Sequence, residues 1–133
     1  MMAAESNSVP DYSEGLQLAL ISIHGLIRGS DLELGRDADT GGQTLYVVEL
    51  ARALAERSDI AQVDLLTRRV VDSSVGDDYA QPLEELSEKA RILRIDCGPE
   101  EYLRKEDLWD QLDTFVDNVM AFYAQEGHSP DLV

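Results

Sequence analysis

The sequence predicts an α/β fold, the opening part of a doubly wound parallel sheet. Three observations carry this. The run Leu16 to Ile23 is almost continuously apolar, as in a strand buried on both faces. Val47, Leu50, Ala51 and Leu54 then fall at i, i+3, i+4 and i+7, one face of a helix. A second strand-like run, Val63-Asp64-Leu65-Leu66-Thr67, follows that helix, completing a β-α-β unit.

Each element has its own signal. Residues 24–40 join the first strand to the helix and contain Gly25, Gly29 and Gly35. A connection of that length in a compact domain is usually functional. The helix runs from Thr44 to Glu56, with Asp39 or Thr40 available as its cap. Residues 71–89 are polar and acidic, with a short helical turn expected near Leu83 to Leu86. Arg91-Ile92-Leu93-Arg94-Ile95 alternates polar and apolar, a third strand. Gly98-Pro99 is a turn. Lys105 to Glu126 reads as one long amphipathic helix, with Leu108, Leu112, Phe115, Val116, Val119 and Tyr123 on its apolar side. Asp131-Leu132-Val133 reads as the start of a further strand. The expected division is a disordered leader over 1–15 and a truncated domain over 16–133.

Composition narrows the function classes. Apolar residues make up 44% and charged residues 29%, enough for a packed core. The net charge of −16 excludes nucleic acid and anionic membrane surfaces as expected partners. The single cysteine, Cys97, forbids an internal disulfide and fits a reducing compartment. No apolar run reaches the length of a membrane span, and residues 1–14 lack the basic and apolar regions of a signal peptide. The expected location is the cytoplasm.

The chemistry concentrates in Glu33-Leu34-Gly35-Arg36-Asp37-Ala38-Asp39-Thr40-Gly41-Gly42-Gln43. A glycine pair between strand and helix lets backbone N–H groups approach a ligand, and the helix N-terminus behind it favours an anion. Spacing tests this loop against known phosphate motifs. His24-Gly25-Leu26-Ile27-Arg28-Gly29 does not match the dinucleotide fingerprint, which disfavours a nicotinamide dehydrogenase. Gln43 stands where a P-loop would place lysine. Asp37 and Asp39 read as turn and cap formers before they read as a metal site.

Lys105 is the second candidate. A lysine at a helix start opposes the helix dipole, a placement that makes sense if its ammonium faces a bound anion; an ordinary solvated lysine is the other reading. His24 admits either a ligand contact or a satisfied buried role. Arg28 and Arg36 admit either an anion contact or a solvated one. Arg68 or Arg69 is expected to pair with the acidic 71–89 loop, and Cys97 to be a small buried residue.

Four segments resemble the N-terminal part of the sucrose-phosphate synthase family, especially its cyanobacterial type. They are residues 20–29, residues 33–43 running on through Tyr46 to Leu54, Val63 to Arg68, and Cys97-Gly98-Pro99-Glu100-Glu101-Tyr102 through Lys105-Glu106 to Leu108-Trp109. The Asp-Thr-Gly-Gly-Gln core is shared with sucrose synthase; the longer His-Gly-Leu-Ile-Arg-Gly and Glu-Leu-Gly-Arg-Asp context points to the phosphate synthase. The resemblance implies a GT-B architecture of two Rossmann-like domains, of which this chain would supply part of the N-terminal, acceptor-side one. It implies retaining transfer of glucose from UDP-glucose, or ADP-glucose, to fructose 6-phosphate. It assigns substrate binding to Gly41, Gly42 and Gln43, and the acceptor phosphate to Lys105. No catalytic side chain, metal site or required cofactor is implied within the chain, with magnesium at most an activator. Isolated, the chain is expected to be inactive. The competing readings are sucrose synthase, which accepts free fructose, and a non-catalytic binding module that keeps only the fold.

Overall fold

The computed structural model describes residues 15–30 and 42–133. The expected leader, Arg36, Asp37, Asp39 and Gly41 lie outside the described residues, except that Gly15 is described. The elements are strand β1 (Leu16–Ile21), helix α1 (Gly42–Ala55), strand β2 (Ile60–Arg68), strand β3 (Leu83–Ser87), strand β4 (Ala90–Ile95) and helix α2 (Leu112–Glu126).

The sheet runs β1-β2-β4-β3. β1 pairs with β2 and β2 with β4, both in parallel, while β3 pairs antiparallel with β4 at one edge. On the opposite side of β1, Leu132 forms a parallel bridge to Leu18. The Ala19 amide donates to the Leu132 carbonyl at 2.9 Å and the Asp131 amide to the Gln17 carbonyl at 2.7 Å. The expected further strand thus begins beside β1. The chain builds outward from β1 through β2 to β4, and α2 then carries it back to the other side of β1. This is the reversal of strand order that defines a doubly wound sheet, and it puts the switch point at β1.

The two helices cover opposite faces. Val47, Val48, Ala51 and Ala55 of α1 pack against Val63, Leu65, Ala90 and Ile92. Phe115 and Tyr123 of α2 pack with Ala19, Leu66, Leu93 and Ile95. Leu65 and Leu66 are both fully buried yet face different layers, because successive side chains in a strand point to opposite sides. That is why apolar residues stand side by side in β2.

Two expectations are corrected. Residues 83–86 are not a helical turn but part of β3. Glu84 and Leu86 face inward: Glu84 accepts from Arg94 at 2.6 Å, and Leu86 packs on the α1-side core. The long helix from Lys105 does not form either. Lys105–Asp107 and Trp109–Gln111 are separate 3-10 turns, and α2 begins at Leu112. Its apolar stripe divides accordingly, with Leu108 and Phe115 buried but Val116 exposed. The turn at Leu108 redirects the chain so that the 105–111 segment borders the sheet end instead of lying along its face.

The α2-side layer also holds a buried polar cluster. Asp64 of β2 accepts from Arg91 Nε at 2.7 Å and from the Tyr123 hydroxyl at 2.6 Å, while Arg91 also donates to Glu126 at 3.0 Å. A buried carboxylate is tolerated because each oxygen has a partner.

Candidate functional site

The β1 switch point opens into a cleft of about 380 Å³. Ile21, Ser22, Ile23 and His24 contribute from the C-terminal end of β1, Gln43 from the first turn of α1, and Lys105, Leu108, Trp109 and Leu112 from the connection into α2. Ligands of open α/β sheets bind in this position.

Gln43 is tied to β1: its Nε2 donates to the Ser22 Oγ at 3.3 Å. The Ser22 amide in turn donates to the Leu66 carbonyl at 2.9 Å, so the hydroxyl rides on fixed backbone. Gly42 opens α1, whose first turn holds no acidic residue. A side chain at Gly42 would meet no described atom within 4 Å. Gly41 lies outside the described residues.

Lys105 reaches the cleft on a strap that three anchors hold. Buried Arg68, at the end of β2, donates from Nε to the Cys97 carbonyl at 3.1 Å and from Nη2 to the carbonyls of Pro99 and Glu101. Burial pulls this guanidinium below its usual pKa. The Tyr102 amide donates to Asp72 Oδ2 at 3.0 Å. His24 Nε2 lies 3.2 Å from the Leu103 carbonyl and 3.4 Å from the Tyr102 hydroxyl. His24 therefore borders the cleft and braces the strap at once.

The charges sort cleanly. Arg28 is turned away from the cleft, paired with Asp78 at 3.2 Å and lying over the Tyr79 ring. Arg68 binds strap carbonyls and not the acidic loop, whereas Arg69 donates to the Ala80 carbonyl of that loop as well as to Asp96. Among the described lysines and arginines, Lys105 alone has neither a hydrogen bond nor an ion pair on its side chain. Its position in a three-residue 3-10 turn removes the helix-dipole argument for its placement; the unpartnered charge on a cleft wall replaces it. Cys97 is buried, with its thiol donating to the Gln111 carbonyl and pushed up in pKa by burial.

The structure thus brings Gln43 and Lys105 to one cleft, while Gly42, the residue before Gln43, is not among those lining it. Two cleft residues carry no distinct sequence signal: Ser22, the last small polar residue of an apolar run, and Trp109, which periodicity places in a helix. Among the described residues there is no cluster of three or more His, Cys, Asp or Glu side chains arranged to hold a metal, and no helix long and apolar enough to cross a membrane.

No family model matches the chain. Curated relatives do. The chain is 50% identical to the probable sucrose-phosphate synthase 1 of Oryza sativa subsp. indica and 48% identical to the sucrose-phosphate synthase of Zea mays, in each case over 80% of this chain. It spans only 11% of the length of these relatives. Among solved structures it is similar to the sucrose-phosphate synthase of Thermosynechococcus elongatus, with a TM-score of 0.63 and 33% identity over 84% of this chain and 25% of that one. The chain is homologous to a part of sucrose-phosphate synthases, and its mixed α/β sheet matches a fragment of that GT-B enzyme. These names favour the phosphate synthase over sucrose synthase.

Proposed function

We propose that this chain supplies the acceptor-side wall of a retaining glucosyltransferase that makes sucrose 6-phosphate from fructose 6-phosphate and UDP-glucose, or ADP-glucose. The observation that carries this is Lys105, an unpartnered cation that lines the same switch-point cleft as Gln43 in a chain with net charge −16. In so acidic a molecule an anionic ligand needs a local positive charge, and a lysine ammonium is a common phosphate holder. Gln43 offers an amide to sugar hydroxyls. The N–H groups at Gly41 and Gly42 suit the phosphate charge that develops as the nucleotide departs.

The chemistry required is positioning of two sugars and stabilisation of a leaving diphosphate. In this reading the leaving phosphate helps to deprotonate the acceptor hydroxyl, so no side-chain nucleophile is drawn from this chain. No cofactor is required, magnesium acts at most as an activator, and the reaction takes place in the cytoplasm.

The test is kinetic. In a full-length enzyme carrying this segment, Lys105→Ala is expected to raise the KM for fructose 6-phosphate by ~10-fold or more, the loss of a charge-assisted contact, with the KM for UDP-glucose nearly unchanged. Equal effects on both substrates would remove the phosphate assignment.

A further inference from the structure

Trp109 is the one tryptophan of the chain and is 73% exposed. An aromatic ring exposed on the lining of a cleft is a ready contact surface for an apolar ligand face. Its backbone, by contrast, is fixed. The preceding Leu108 is buried, the Gln111 amide donates to the Leu108 carbonyl at 2.9 Å, and the Gln111 carbonyl accepts from the Cys97 thiol. An open ring on a held backbone is a preorganised contact.

The ring also has particular neighbours. Trp109 lines the same cleft as Lys105, four residues earlier, with Gln43 contributing from α1 and His24 from the segment after β1. The cleft lining also includes the apolar side chains of Ile21, Ile23 and Leu112. One cation, one amide and one flat aromatic surface match a sugar phosphate, which carries an anionic end, hydroxyl edges and an apolar face of C–H groups. Free phosphate needs only the cation.

We infer that Trp109 is a specificity-determining residue of the acceptor site: its indole covers the carbon face of the sugar whose phosphate Lys105 holds. This rests on the acceptor reading above and deepens it. Lys105 confers affinity for any phosphate, and Trp109 confers the preference for a phosphorylated sugar.

Trp109 itself supplies the readout, since no other tryptophan contributes to the fluorescence. The purified chain is titrated with fructose 6-phosphate, fructose and inorganic phosphate, following Trp109 emission and, in parallel, heat of binding. Fructose 6-phosphate is expected to shift the emission to the blue, with inorganic phosphate binding more weakly and leaving it unshifted. By calorimetry, Trp109→Ala is expected to weaken fructose 6-phosphate by ~5- to 10-fold, as loss of one aromatic contact predicts, and Trp109→Phe by less. Both variants should bind inorganic phosphate as the parent does, and Lys105→Ala should lose both ligands. Trp109→Ala binding fructose 6-phosphate with parental affinity, as expected if the indole instead packs on another protein segment, overturns the proposal and leaves the Lys105 assignment standing. Equal loss of sugar phosphate and inorganic phosphate also overturns it. If the isolated wall binds too weakly to measure, the same calorimetric comparison is made in a full-length enzyme carrying this segment, and no binding of fructose 6-phosphate there defeats both this proposal and the acceptor reading beneath it.

Discussion

At the scale of single residues, burial and partnership decide what a charge does. Asp64 and Arg91 are acidic and basic residues on strands, and both are absorbed into one hydrogen-bonded cluster with Tyr123. Burial, and then the bond to Asp64, raises the Tyr123 phenol well above its ordinary pKa of 10.0. The unfolded chain gives up this proton first as pH rises. The hydroxyl's contribution is therefore whole below about pH 10 and shrinks above it, because folding then requires uptake of a proton. Tyr123→Phe is expected to cost about 1–2 kcal/mol near neutral pH, the loss of one buried hydrogen bond to a charged group. Urea unfolding of parent and variant should show that gap narrowing between about pH 9 and about pH 11. A gap that widens with pH would contradict the direction of the shift. Lys105 is the converse case. Its sequence neighbours gave a dipole argument that the 3-10 turn removes, while its lack of any partner is visible only in the folded chain.

At the scale of elements, the segment between β4 and α2 shows what local pattern can and cannot specify. Gly98 has φ of +69°, and a side chain there would run into Gln111, which itself starts the approach to α2. Gly98→Ala is expected to destabilise the chain by about 1–2 kcal/mol through left-handed backbone strain and that collision. A denaturation midpoint equal to the parent's would show that the strap shifts at no cost. The glycine turn was legible in the sequence; the helix start was not. Leu108, Leu112 and Phe115 do share a helical spacing, but the chain makes two short turns first, so that Leu108 is buried while Trp109 and Lys105 face the cleft. Likewise Leu83-Glu84-Glu85-Leu86 has no strong strand propensity. It becomes β3 because the exposed edge of β4 offers backbone partners and buried Arg94 offers a bond to Glu84, which no local pattern records.

At the scale of the whole molecule, the acid excess is a global field as well as a composition. With net charge −16 and nearly every described lysine and arginine already engaged, self-repulsion works against the compact state. Raising sodium chloride from low salt to about 0.5 M should therefore raise the melting temperature, because screening relieves like-charge repulsion more than it weakens short ion pairs. A falling melting temperature would mean that the exposed pairs dominate. The second whole-molecule prediction concerns activity. Incubated with UDP-glucose and fructose 6-phosphate, the purified chain is expected to form no sucrose 6-phosphate, since its cleft has one described wall and it spans 11% of its relatives' length. Product detected chromatographically above a no-protein control would refute this.

The sequence by itself determined the fold class, the opening β-α-β succession and the resemblance to sucrose-phosphate synthases. Those follow from apolar runs, helical period and the spacing of a glycine loop, all of which are local in the chain. Only the tertiary structure decided that Gln43 and Lys105, 62 positions apart (105 less 43), line one cleft, that Arg28 turns away from it, that Asp64 is buried, and that Trp109 stands open on the cleft wall. The physical reason is that period and propensity fix which face of an element is apolar. Which elements meet is fixed by backbone pairing and packing between residues far apart in sequence, and a site assembled at the end of a sheet consists entirely of such meetings.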